Sequence, residues 1–260
     1  MLVEWDRLDK ARLIVPIWTH AMAVYFLYTF QWWYLIPFIF VNYLINTTQT
    51  VFLHKTLAHR NFSYNSKIID HIFSFVVMLS FMGGPMQWAM MHRLHHKYID
   101  EFEDPHSPSI VGSLISHFHL WKRPPVNTAK KVLVRDLFRD YRHLIIYIRY
   151  QWLSSILAWL IIGILFGIEG LAIVGAASCW QLHTAGIVNN WVHRKGNGVI
   201  TNTNSWVTAL CMASPEAVEH DEHHKNPWVY YTHINGWFDY HSRVMEILAK
   251  YGLVKINVVK

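Results

Sequence analysis

Three stretches of this 260-residue chain stand out as apolar and without Asp, Glu, Lys or Arg: residues 13–53, 151–168 and 171–192. They constrain the fold more than any other feature, because a backbone carried into hydrocarbon must satisfy its own hydrogen bonds, as a helix does within one segment. The first stretch is long enough to divide near 29–33. That gives four pieces of about 18 to 22 residues, each able at roughly 1.5 Å per residue to cross a hydrocarbon core about 30 Å thick. With 53% hydrophobic and 15% charged residues the chain is too apolar for an ordinary soluble domain, and its 13 Trp, 13 Tyr and 14 Phe suit a bilayer interface.

The expected fold is an all-α integral membrane protein forming a single domain over residues 1–260. Four transmembrane helices at about 13–30, 33–53, 151–168 and 171–192 form two hairpins, joined by interfacial helices and a cytosolic cap from 54–150 and 193–260. The turn at 29–33 has no basic residue and the turn at 167–170 has only Glu169, whereas Arg7, Lys10, Arg12, Lys55, Arg60, Arg93, Lys97, Lys122, Arg123, Arg194 and Lys195 all fall at the other end. The positive-inside rule assigns that end, with both termini, to the cytoplasm. Residues 68–91 resemble a fifth span, but Asp70 and His71 open the segment and Gly83-Gly84-Pro85 interrupts it, so an interfacial or re-entrant helix is expected. Ala21-Met22-Ala23 mimics a signal-peptide cleavage site, yet the apolar run continues past it and the segment is read as a retained span.

Histidines are as unusual as the apolar runs, outnumbering acidic residues 18 to 17. Nine of them form clusters beside those runs: His54 and His59; His92, His95 and His96; His193; and His220, His223 and His224. Neutral imidazole is the commonest protein ligand for transition metals, and this set exceeds what one four-coordinate ion can use, which points to a two-metal site at a membrane face. In His92-Arg-Leu-His95-His96 and His220-Asp-Glu-His223-His224, residues three and four apart share a helix face, so the three rings of each cluster are expected to converge. His54 and His59 are five apart, which suits a helix end that unwinds, and His193 would be delivered by a helix extended past the membrane.

Isolated histidines such as His20, His71, His143 and His241 are read as hydrogen-bonded interfacial or core residues. The basic run from Lys122 to Arg149 is read as a solvated or headgroup-facing surface. Glu103-Asp-Pro-His106 imitates the Glu-x-x-His of soluble di-iron bundles, but Pro105 breaks the helix that motif needs. Cys179 and Cys211 form no C-x-x-C pair, so neither a disulfide framework nor a thiolate metal site is expected.

The residues His54-Lys-Thr-Leu-Ala-His59-Arg60, Trp88-Ala-Met-Met-His92-Arg-Leu-His95-His96-Lys97 with Asp104-Pro105-His106, Asn189-Asn-Trp-Val-His193 and His220 to His224 resemble the membrane fatty acyl desaturases of the stearoyl-CoA desaturase type. The likeness runs from about Leu13 to Tyr251-Gly-Leu-Val. It implies a mushroom-like helical fold with four membrane helices and a cap holding two irons. The nine histidines would be the ligands, and Asn189 would reach one iron through a water. The implied reaction is O2-dependent removal of two hydrogens from adjacent methylenes of a long-chain acyl group, with oxygen reduced to water, in a bent, dry tunnel that Trp88 and Gly186 would help to shape. Zinc is expected as a substitute in purified samples, since its affinity for such ligands exceeds that of ferrous iron.

Several positions depart from the family pattern. Asp221 follows the first histidine of the last cluster where the family usually has Asn. Ser214-Pro-Glu-Ala-Val-Glu219 replaces a Gly-Glu-Gly, Gly186 stands where a bulky aromatic often precedes the Asn, and Asn190 replaces a common Ser. No haem-attachment motif, iron–sulfur cysteine set or Gly-x-Gly-x-x-Gly turn occurs, so a separate ferredoxin or small b-type cytochrome is the expected electron donor. The net charge of +6 suits an acidic carrier and equally the phosphates of an acyl-CoA, an acyl-carrier protein or a membrane lipid; no nucleic-acid partner is expected. A related di-iron hydroxylase or acetylenase is the alternative enzyme. A histidine-rich metal carrier is the alternative of another class, for which His20 and His183 are the chief polar groups within the spans.

Overall fold

A computed structural model describes residues 8–121, 128–193, 220–231 and 239–257. Arg7, Lys122, Arg123, Arg194, Lys195, Cys211, the 214–219 stretch and the side chain of Asp221 lie outside the described residues. The described chain is mostly helical. In order it runs α1 (Ile14–Tyr28), α2 (Leu35–Thr47), β1 (Phe62–Tyr64), α3 (Lys67–Leu79), α4 (Pro85–Lys97), α5 (Pro108–Val111), α6 (Ser113–His117), α7 (Thr128–Asp140), α8 (Ile145–Arg149), α9 (Gln151–Ile187), α10 (His220–Lys225), α11 (Tyr240–Lys250) and β2 (Val254–Ile256).

Among the described residues, three helical segments are long and apolar enough to cross a membrane: Lys10–Tyr28, Trp32–Ala58 and Gln151–Asn190. Their outward faces are lined by residues such as Ile17, Leu27, Ile36, Ile164 and Leu165, all exposed, as lipid-facing positions must be. The second segment does not stop near 53. It continues from α2 as a π-helix over Thr48–Ala58, carrying His54 and His59 well past the expected helix end.

The third segment is broken at Gly167, whose backbone (φ 65, ψ −161) is non-helical and suits a residue without Cβ. Leu79 O accepts hydrogen bonds from both Trp159 Nε1 and Ser178 Oγ at 3.1 Å. In a straight helix those two residues would be about 28 Å apart, so the chain doubles back at Gly167. Tyr34, beside the turn that follows α1, hydrogen-bonds Glu169 beside this second turn, and the two turns therefore share one end of the bundle.

The opposite end carries the cap. The expected interruption after 68 is present: α3 starts at the Ser66 cap, which accepts from Ile68 N, and α4 starts with Pro85 at its first turn. Gly84 between them is required by close approach, since a Cβ there would lie 2.7 Å from Tyr147 O. The two-stranded antiparallel sheet pairs Phe62 with Ile256 and Tyr64 with Val254, fastening the C-terminal segment beside the π-helix. Buried Lys55 adds a second tie, donating to Tyr230 O at 2.6 Å and Ser242 Oγ at 3.1 Å.

Candidate metal centre

The nine clustered histidines meet where the membrane segments enter the cap, in two groups. His54, His59, His92, His96 and His223 form one and His95, His193, His220 and His224 the other, with the candidate ligand nitrogens of each group within 4.8 Å of one another. The three rings of each H-x-x-H-H cluster do not converge on one point as expected. His92 and His96 join the first group while His95 joins the second; reciprocally, His220 and His224 join the second while His223 joins the first. Helix geometry is the reason: positions i+3 and i+4 fall on opposite sides of i, about 100° apart, so each short helix straddles both groups.

The π-helix positions the first pair. His59 N–H donates to His54 O, an i+5 to i bond of 3.0 Å that sets two residues five apart on one face. A second π turn, Val188–Val192, ends at His193 and gives the helix extension that ring needs. Arg93 locks the first π-helix to α4. Its five N–H groups reach Leu57 O, Ala58 O, Leu133 O and both oxygens of Asp136 at 2.6 to 2.9 Å.

The contacts between rings suit cations better than hydrogen bonds. Nε2···Nε2 separations are 2.9 Å for His54–His223, 3.0 Å for His59–His92 and His92–His96, and 3.2 Å for His96–His223. A ring nitrogen is either an N–H or a lone pair. The middle members of such a chain, each with two nitrogen neighbours, cannot all be satisfied among themselves. Ligands at right angles around an ion with metal–nitrogen bonds of about 2.1 Å would lie about 3.0 Å apart, and the observed separations match. The second group repeats this with 3.1 Å for His193–His220 and 2.9 Å for His220–His224, and His95 Nε2 is buried without a hydrogen-bond partner.

Electrostatics agree. Burial first, then neighbouring imidazoles, push His59, His92, His95, His223 and His224 well below the ordinary histidine value, and the same causes bring His96 to about 3. Burial, then His106, brings His193 to about 4. At neutral pH these rings therefore present lone pairs, as metal ligation demands.

Asp104 has a part that the sequence reading left unassigned. Fully buried, it accepts from His95 Nδ1 at 2.8 Å and from the backbone N–H groups of Asp100, His106 and Ser107. A carboxylate on Nδ1 fixes the tautomer and aims Nε2 at the metal position. The signal was there in Asp104-Pro105-His106 nine residues past His95, but it required the turn that folds the loop back.

A cavity of about 160 Å³ opens onto both histidine groups. Trp88 lines it and stacks on His92, with ring centroids 5.0 Å apart and planes 13° apart. Asn189 also lines it, together with Met82, Met91 and Thr184. Gly186 does not: it packs on His117, where a Cβ would lie 2.4 Å from the His117 carbonyl oxygen, which explains why no aromatic residue occupies this position. His241 lies in α11, outside both groups.

Fold and site together define a helical membrane protein whose cap holds a twin histidine centre able to carry two metal ions beside an apolar cavity. Among known proteins the chain is similar to plant acyl desaturases. It is 27% identical over 235 residues to an acyl-CoA 5-desaturase of Anemone leveillei, covering 85% of this chain and 70% of that one. It is 28% identical over 220 residues to delta-9 acyl-lipid desaturase 2 of Arabidopsis thaliana, covering 79% and 65% respectively. It is 26% identical over 235 residues to an acyl-CoA C20 delta5-desaturase of Anemone leveillei, covering 85% and 72%. No protein-family model matches the chain.

Proposed function

We propose that this protein is an O2-dependent fatty acyl desaturase working at a membrane surface through two irons held by the nine histidines. The observation that carries the reading is the apolar cavity that reaches both histidine groups, in a chain whose similar proteins are named acyl-CoA and acyl-lipid desaturases. His54, His59, His92, His96 and His223 would hold one iron, and His95, His193, His220 and His224 the other, with Asn189 contributing through a water. When bound, the irons supply the activation of dioxygen that breaking unactivated C–H bonds requires. The chain's own part is placement. Trp88, Met82 and Met91 exclude water and present one pair of methylenes, because an alkyl chain offers no polar handle for recognition. Asp104 keeps His95 in the ligating tautomer.

Four membrane crossings in two hairpins, with the histidine centre and both ends cytoplasmic, fit the broken helix at Gly167, the Tyr34–Glu169 contact and the basic residues of the cap. The acyl group would arrive on CoA, a lipid or a carrier protein, and electrons from a separate ferredoxin or small b-type cytochrome. Expression in a host that makes no unsaturated fatty acids, supplied with iron and a reductant system, should yield a new double bond by lipid mass spectrometry. A hydroxylated product would instead identify the related hydroxylase, and an unchanged lipid profile would count against both. His95→Ala and His223→Ala should abolish the product, whereas His71→Gln, outside both groups, should retain it.

A further inference from the structure

A separate set of donors lies on the opposite side of α9 from the cavity. Cys179 and His183 are one helical turn apart on the returning arm of α9, and His20 on α1 faces them; the three candidate ligand atoms lie within 4.8 Å of one another. His20 Nε2 and His183 Nε2 are 2.9 Å apart. Cys179 is buried, while His20 and His183 are partly exposed, and His183 meets the partly exposed His117 of α6, so the trio is reached from the cap side.

Counting protons shows that this trio has a gap to fill. His20 Nδ1 lies 2.6 Å from Pro16 O, and a carbonyl only accepts, so that nitrogen carries the proton and His20 Nε2 is a lone pair. On the other side His183 Nδ1 meets His117 Nε2 at 3.0 Å, and the backbone carbonyl of Gly186 accepts from the His117 ring. The chain Pro16–His20–His183–His117–Gly186 thus has four links and carbonyls at both ends, but three neutral imidazoles bring only three ring protons. If both ends are satisfied, the two links between rings share one proton, and two lone pairs face each other across one of them. A cation between His20 and His183 resolves this with every imidazole neutral: His183 then donates Nδ1–H to His117, and His117 donates to Gly186. Cys179 supplies a third donor and loses its thiol proton to solvent on binding.

We propose that His20, Cys179 and His183 form a site for a thiophilic divalent transition ion of the Zn²⁺ kind, distinct from the nine-histidine centre. Two imidazoles and a thiolate suit such an ion, with a fourth position left for water. Its place is structural: it joins α1 to the returning arm of α9 and, through His117, to α6 of the cap.

Co²⁺ is the probe, because a bound thiolate gives it a near-ultraviolet charge-transfer absorption that a histidine-only centre cannot produce. Full-length protein with its iron in place should take up one more equivalent of Co²⁺ than Cys179→Ser or His20→Gln variants of equal iron content, and should develop the thiolate band. Zn²⁺ should bleach that band. Absence of the band in the unaltered protein overturns the proposal outright, whether or not the desaturase reading holds. A band that survives His20→Gln would mark adventitious thiol binding, and one lost in Cys211→Ser would belong elsewhere; either result also overturns it. Cys179→Ala and His183→Asn serve as second variants should the first pair fail to assemble.

Discussion

At the residue scale, the centre depends on groups that never touch a metal. Asp104 accepts four hydrogen bonds in a fully buried position, one of them from His95. Asp104→Asn keeps the volume but turns one oxygen into a donor, which opposes the tautomer that His95 needs. Loss of such a partner typically lowers metal affinity 10- to 100-fold. Titration with a chelator, read by metal analysis, should show one of the two ions released at that lower chelator concentration, and equal release of both would refute the assignment. The nine clustered histidines were legible because their spacing and their apolar neighbours stand in the sequence. Their division between the two groups was also contained in the helical angle between i+3 and i+4. The role of Asp104 was not, because it arises from a loop that local patterning does not describe.

At the element scale, the two π-helices are what pattern reading cannot supply. An i+5 register follows from how a segment is held by its neighbours, and Thr48–Ala58 is held by Arg93. Lysine at that position keeps a charge but has three donors where the guanidinium uses five, in a fork that matches Asp136. Arg93→Lys should leave π-helix carbonyls or the carboxylate unpaired, costing about 1–3 kcal/mol, and differential scanning of the solubilised protein should show a lower Tm. The same pair sets an acid limb. Burial would raise Asp136, but hydrogen bonds and charge from Arg93, aided by Arg60, leave it below the ordinary aspartate value. A depressed carboxylate contributes stability above its unfolded pKa and loses it as pH falls through the lower, folded one. The stability difference between the native protein and Asp136→Asn should therefore be constant above about pH 4 and shrink below it; a difference that grew on acidification would contradict the pairing.

At the scale of the whole molecule, the apolar runs dictated where the chain meets lipid, because nothing but lipid or protein can surround so many uncharged residues. Their number of crossings turns on Gly167. If the Gln151–Asn190 segment ran straight, Phe166 would sit in mid-bilayer, and no single residue could bond both Trp159 and Ser178 as Leu79 does. In the proposed two-hairpin arrangement, Phe166 lies at a turn on the same side as Gln31, and Phe102 in the cap lies on the other. All three side chains are exposed, so cysteines placed there report their side directly. Against the unaltered protein as blank, a membrane-impermeant maleimide should label Gln31→Cys and Phe166→Cys only from outside intact cells, and Phe102→Cys only in inverted vesicles. Labelling of Phe166→Cys from the cytosolic side, or from neither, would remove the second hairpin. It would also leave His193 without the returning helix that brings it to His95 and His220.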